Sequence, residues 1–138
     1  TLDTFGRIDI LVNNAAVLVP RGILDLPTRH LDLHYRVNIK GPILCIRAVL
    51  PTMLQQGQGW IINISSNAAI FPGPGPYTDV RPVRAFMYAA TKAALERLTQ
   101  GLAVEYQAAP PVEAEAPATP ARASSCAADM VACTCAFM

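Results

Sequence analysis

Ile8-Asp9-Ile10-Leu11-Val12-Asn13-Asn14-Ala15-Ala16 is the stretch that decides the fold. The run from Ile8 to Val12 is β-branched except at Asp9 and Leu11, and it stops at a pair of asparagines. A strand buried in a parallel sheet has this character, and the asparagines end it in a polar turn. The next such run is Trp60-Ile61-Ile62-Asn63-Ile64, entered through Gly57-Gln58-Gly59 and stopped by Ser65-Ser66. Between the two, residues 28 to about 56 read as helix, with Thr28 as N-cap after Pro27 and Leu31, Tyr35 and Ile39 recurring at helical spacing. Gly41, Pro42 and Pro51 are expected to bend or break it. A second helix is expected from Phe86 to Tyr106, with Met87, Ala90, Ala94, Leu98 and Leu102 on its apolar face. The order strand, helix, strand, helix predicts an α/β fold, a doubly wound parallel sheet with right-handed crossovers.

Outside these elements the sequence is less ordered. Residues 67 to 84 hold Pro72-Gly73-Pro74-Gly75-Pro76 and predict a long surface loop. Residues 107 to 138 are crowded with Ala and Pro and show neither strand alternation nor a lasting helical period, so they are expected to form a low-complexity tail that is either disordered or an aberrant end. Residues 1 to 106 then form the folded domain. A chain of 138 residues that is 52% apolar suffices for one core, and its formal charge of +1 leaves no basic stripe for nucleic acid. The long apolar stretches are interrupted at Asn13-Asn14 or at Arg47 and Pro51, short of the roughly 20 residues that span a bilayer, so no membrane helix is expected. The first residues lack the pattern of a signal peptide. Cys45 stands alone, and Cys126, Cys133 and Cys135 form no C-x-x-C pair, so neither a metal site nor a disulfide framework is expected. The default location is cytoplasmic.

In open α/β sheets ligands bind beyond the carboxyl ends of the strands, where this sequence places Asn13 to Ala16 and Ser65-Ser66. A sharper feature is Tyr88-Ala89-Ala90-Thr91-Lys92. Residues four apart share a helix face, about 6 Å apart along the axis, so a phenol and an ammonium can meet in one site. A free tyrosine titrates near 10, and a neighbouring cation favours the phenolate. Such a group can take a proton from an alcohol as hydride leaves carbon, and return it when a carbonyl is reduced. With four tyrosines and two lysines, this pairing is expected by chance about 0.06 times. Tyr77 with Arg81 is a weaker rival, because it follows Pro76 in the Gly/Pro-rich loop.

With these residues the chain resembles the short-chain dehydrogenase/reductase family. The family's marks appear in order as Asn13-Asn14-Ala15-Ala16, Asn38 in Val37-Asn38-Ile39-Lys40-Gly41-Pro42, Ser66 in Ile62-Asn63-Ile64-Ser65-Ser66, and Tyr88 with Lys92. The likeness runs from about Phe5 to Glu105. It implies a Rossmann-type sheet, NAD or NADP as cofactor, and an alcohol or carbonyl compound as the small-molecule substrate. It also implies Tyr88 as acid/base, Lys92 as the cation that tunes it and binds the nicotinamide ribose, and Ser66 as the group that orients the substrate oxygen. Asn38 would hold a water linking Lys92 to solvent. Asn13, Asn14, Ala15 and Ala16 would support the cofactor and the sheet. Members pair their two long helices across a two-fold axis, so a homo-oligomer through residues 28 to 56 and 86 to 106 is implied.

The sequence departs from the family pattern in three places. None of its eight glycines forms the family's glycine-rich phosphate loop, so the sheet is expected to be incomplete, without the N-terminal strands that carry it. The tail from Gln107 matches no family segment. The gap from Ser66 to Tyr88 is also long, which leaves the serine assignment open between Ser65 and Ser66. The alternatives are an extended-family nucleotide-sugar epimerase or dehydratase, and a non-catalytic remnant or interaction module. The isolated chain is expected to bind NAD(P)H weakly or not at all.

Overall fold

A computed structural model describes residues 1–71, 84–107 and 132–135. Of the loop expected over residues 67 to 84, residues 72–83 fall outside the described residues, and so does the Tyr77–Arg81 pair. After a short helix α1 (Leu2–Phe5), the chain forms strand β1 (Ile10–Asn13), helix α2 (Thr28–Tyr35), a π-helical turn (Arg36–Lys40), helix α3 (Gly41–Gln56) and strand β2 (Trp60–Ile64). A 3₁₀ turn (Asn67–Ala69), helix α4 (Phe86–Gln107) and strand β3 (Ala132–Cys135) follow. The three strands lie in the order β1-β2-β3, and both neighbouring pairs are parallel, with Ile10 opposite Trp60 and Asn13 opposite Asn63. This is part of a Rossmann-type α/β sheet, as the element order predicts.

Several boundaries move for identifiable reasons. The ladder starts later than Ile8 because Ile8's backbone is bonded to a side chain: its N–H donates to Gln56 Oε1 at 3.1 Å and its carbonyl accepts from Gln56 Nε2 at 2.8 Å. Thr28 is not the cap expected of it, since Pro27 occupies the N-cap position and no side chain caps that end. Gly41 and Pro42 do not break the long helix. Pro42 has no N–H and would crowd the carbonyl four residues back, and the wide turn immediately before it, in which the Gly41 N–H reaches back to Arg36 O, takes up the misfit. Gly57 ends α3 in the left-handed conformation at φ 68°. The tail expected to lack regular structure supplies β3 on the far side of β2.

The helices cover one face of the sheet. Ile46, Leu50 and Met53 of α3 join Ile61 of β2 in the core, with Leu98, Leu102 and Tyr106 of α4 packed against them. On the opposite face Ile10, Val12 and Trp60 remain 57%, 51% and 42% exposed. The continuous segment Thr28–Gln56 has a mean hydropathy of 1.3 over its most apolar 18 residues, so by length and composition alone it could cross a membrane, contrary to the expectation. Its Ile46, Leu50 and Met53 are spent on the sheet. Helix α4 packs Leu98 and Leu102 on the core as the sequence reading expects but departs from it at the alanines. Its buried positions are Thr91, Lys92, Leu95 and Thr99, whereas Ala90 and Ala94 face outward. In the first helix likewise, Tyr35 is exposed and His34 and Asn38 are buried.

Gly59 marks the tightest junction of this core. A Cβ there would lie 2.5 Å from Met53 Cγ and 2.8 Å from Met53 Cβ, and Met53 is fully buried. Gly59→Ala is expected to destabilise the fold by about 1–3 kcal/mol in urea denaturation, through overpacking. The loss should shrink in a Met53→Ala background, where the two nearest obstructing atoms, Cγ and Sδ, are gone and only Cβ remains.

Candidate active site

The site is assembled by polar side chains that tie α4 to the strand ends. Asn13 and Asn63 lie opposite each other and point under the helices, and Asn13 Nδ2 donates to Asn63 Oδ1 at 2.8 Å. Asn63 Nδ2 donates to Thr99 Oγ1 at 2.9 Å, and the Thr99 hydroxyl donates to Leu95 O at 2.7 Å. Asn13 is thus a buried structural link, while Asn14, Ala15 and Ala16 are exposed beyond the end of β1.

Asn38 forms a second tie. Its Oδ1 accepts from the Val17 N–H at 2.8 Å, and its Nδ2 donates to Val17 O and Thr91 Oγ1, both at 2.9 Å. The Thr91 hydroxyl passes the connection on to Tyr88 O at 2.8 Å. The loop after β1, the π-turn and the first turn of α4 therefore meet at one carboxamide. His34, one turn earlier, steadies the same loop: its Nε2 accepts from the Val19 N–H at 3.2 Å, which leaves Nδ1–H to donate to His30 O at 2.7 Å.

The two serines have different surroundings. Ser65 is buried, and its hydroxyl donates to Glu96 Oε1 at 2.6 Å. Ser66 turns the other way, accepts from the Ala68 N–H at 3.2 Å as cap of the 3₁₀ turn, and lines a pocket of about 1080 Å³ together with Tyr88. Lys92 lies behind Tyr88 and is only 2% exposed. Its Nζ is 5.6 Å from the Tyr88 ring centroid and donates to Ile64 O at 2.5 Å. No carboxylate is among its hydrogen-bond or cation–π partners in the described residues, and burial holds its pKa below the ordinary lysine value of 10.5.

Ser66, Tyr88 and Lys92 are thus brought together, and Asn38 is joined to them through Thr91 rather than by a direct bond. Asn63, Thr91, Glu96 and Thr99 were missed by the sequence reading, although a polar Asn63 inside an apolar strand was a visible anomaly. Among the described residues no cluster of His, Cys, Asp or Glu could hold a metal ion.

With this geometry the comparisons with known proteins agree. Residues 1–121 match the family model described as short chain dehydrogenase. The chain is 40% identical over 106 residues to an uncharacterized oxidoreductase of Thermotoga maritima, covering 77% of this chain and 39% of that protein. It is also 40% identical over 111 residues to a 2-(R)-hydroxypropyl-CoM dehydrogenase of Xanthobacter autotrophicus, covering 77% and 40%. Among solved structures it is similar to a gluconate 5-dehydrogenase from Burkholderia cenocepacia in complex with NADP and tartrate, at 32% identity and a TM-score of 0.66, covering 76% of this chain and 38% of that one. The chain belongs to the short-chain dehydrogenase family. It spans about two fifths of the length of these curated relatives.

The buried ammonium makes stability depend on pH. The folded chain releases the Lys92 proton at lower pH than the unfolded chain does, so between the lowered value and 10.5 the unfolded state holds more protons. Rising pH in that window therefore favours the fold. Measured against Lys92→Met by urea denaturation from neutral pH upward, the wild-type chain should gain relative stability through that alkaline window and show a level difference below it.

Proposed function

We propose that this chain carries the catalytic part of an NAD(P)-dependent oxidoreductase that interconverts an alcohol and a carbonyl. The observation that carries the reading is the pocket shared by Ser66 and Tyr88, with the Lys92 ammonium 5.6 Å from the Tyr88 ring. In this reading the Ser66 hydroxyl holds the substrate oxygen and the Tyr88 hydroxyl exchanges a proton with it. The Lys92 charge stabilises the phenolate left when Tyr88 gives its proton away.

The residues suit a nicotinamide nucleotide on the same rim. An ammonium has three N–H donors, and one of those on Lys92 is spent on Ile64 O, leaving donors for ribose hydroxyls. The exposed turn Asn14 to Ala16 lies beyond the end of β1, where dinucleotides sit in such sheets. When bound, the cofactor would supply or accept the hydride. The NADP complex of the similar gluconate 5-dehydrogenase adds support for that cofactor class. Asn38's carbonyl cannot receive the usual bond from Pro42, which has no N–H, and this makes it a suitable acceptor for a water that relays protons toward Lys92. Pairing of α3 and α4 with a second copy belongs to the same reading, and it draws on the outward placement of Ala94, Gly101 and Val104.

In the longest natural form of the protein, Tyr88→Phe is expected to lower kcat by about 10²–10⁴-fold. NADH or NADPH affinity, read by fluorescence titration, should change by less than about twofold, because only the transferable proton is removed. Turnover near wild type in the variant would refute the assignment of Tyr88.

A further inference from the structure

The pocket that Tyr88 faces is built mainly from apolar atoms. Leu18 comes from the loop after β1, Ile70 and Phe71 follow the 3₁₀ turn, and Phe86 opens α4. These side chains are left in water, Ile70 at 78% and Phe71 at 62% exposed, which is costly for apolar surface unless something covers it. The wall beside Tyr88 is made of alanine, at Ala85 just before α4 and at Ala89, Ala90 and Ala93 within it, and its methyl groups leave room without offering a hydrogen bond.

Among the described residues the polar groups in the lining are few and partly engaged: besides Tyr88 they are Ser66, Asn67 and Arg84. Ser66 already accepts from the Ala68 N–H, and its hydroxyl lies 3.4 Å from Asn67 Oδ1. Arg84 donates to Asp25 Oδ2 at 3.0 Å, so the charge of the one cation in the described lining is answered within the protein. No described lining residue is acidic. A polyol bound against the described lining would give up its water for few partners, whereas an apolar group would cover Ile70, Phe71 and Phe86.

Resting on the oxidoreductase reading above, we propose that the substrate is a ketone or secondary alcohol bearing an uncharged apolar substituent of aryl size, seated against Leu18, Ile70, Phe71 and Phe86. The oxygen-bearing carbon faces Ser66 and Tyr88, and the apolar substituent extends away from them along the alanine wall.

Amide resonances of the chain can be followed by NMR during titration with acetophenone and, separately, with D-sorbitol. Acetophenone should shift amides of residues 66–71 and 86–93 saturably, and sorbitol should not. Phe71→Ser and Phe86→Ser, both at exposed positions, should each weaken acetophenone binding roughly tenfold or more. Three results would overturn the proposal: equal shifts with sorbitol, acetophenone shifts confined to the bare sheet face around Ile10, Val12 and Trp60, or no weakening in either variant. Absence of any acetophenone shift would overturn it too. This readout needs neither cofactor nor turnover. Failure of the substrate class therefore stays distinct from failure of the hydride-transfer reading, which the Tyr88→Phe assay decides.

Discussion

The carboxamide of Asn38 holds three segments that are far apart in sequence. Its oxygen and nitrogen clamp both backbone groups of Val17, and its second N–H reaches Thr91, which in turn bonds the Tyr88 carbonyl. The residue is 1% exposed, so each of these bonds lies where an unmade partner would be expensive. Through this one side chain the loop that bears Leu18, the long helix and the tyrosine turn are fixed relative to one another. The Asn13–Asn63–Thr99 chain does the same deeper in the sheet, and Lys92 and Glu96 hold the end of β2 at Ile64 and Ser65. Helix α4 is therefore seated largely by directional polar contacts, which specify both its depth and its rotation.

That division explains which parts of the fold were legible in the sequence. Strand β2 fell where the Trp60–Ile64 run placed it, and α4 ended within a residue of the expected bound, because both rest on local composition and on Gly or polar stops. The face of α4 was misread in part, since Leu98 and Leu102 pack on the core as expected and Ala90 and Ala94 do not. Hydrophobic periodicity credits Ala90 and Ala94 to the core, but a methyl group gains little from burial, while Thr91 and Thr99 are drawn inward by asparagines from distant elements. No single-element pattern contains that information. Strand β3 was missed for a related reason, since Ala132–Cys135 has only four residues and no alternation to announce it.

At the site, residue identity was legible and connectivity was not. Tyr88 and Lys92 meet as helical spacing requires, and the choice between the adjacent serines, which the sequence left open, separates by direction in the structure. Consecutive residues of an extended chain point to opposite sides. Ser65 goes inward to Glu96, and Ser66 goes outward to the pocket. The first serine anchors the backbone from which the second is presented.

The π-turn at Arg36–Lys40 has a consequence of another kind. An α-helix advances about 100° per residue, so a turn that absorbs one extra residue resets the angular phase of everything beyond it. Here the reset lets His34 and Asn38 look toward the loop and α4, while Ile46, Leu50 and Met53 form a separate stripe against the sheet. The helix is in effect two gears on one shaft, keyed at different angles. Any deletion or insertion of a single residue in that turn would slip the key, and the two faces would no longer engage their partners together.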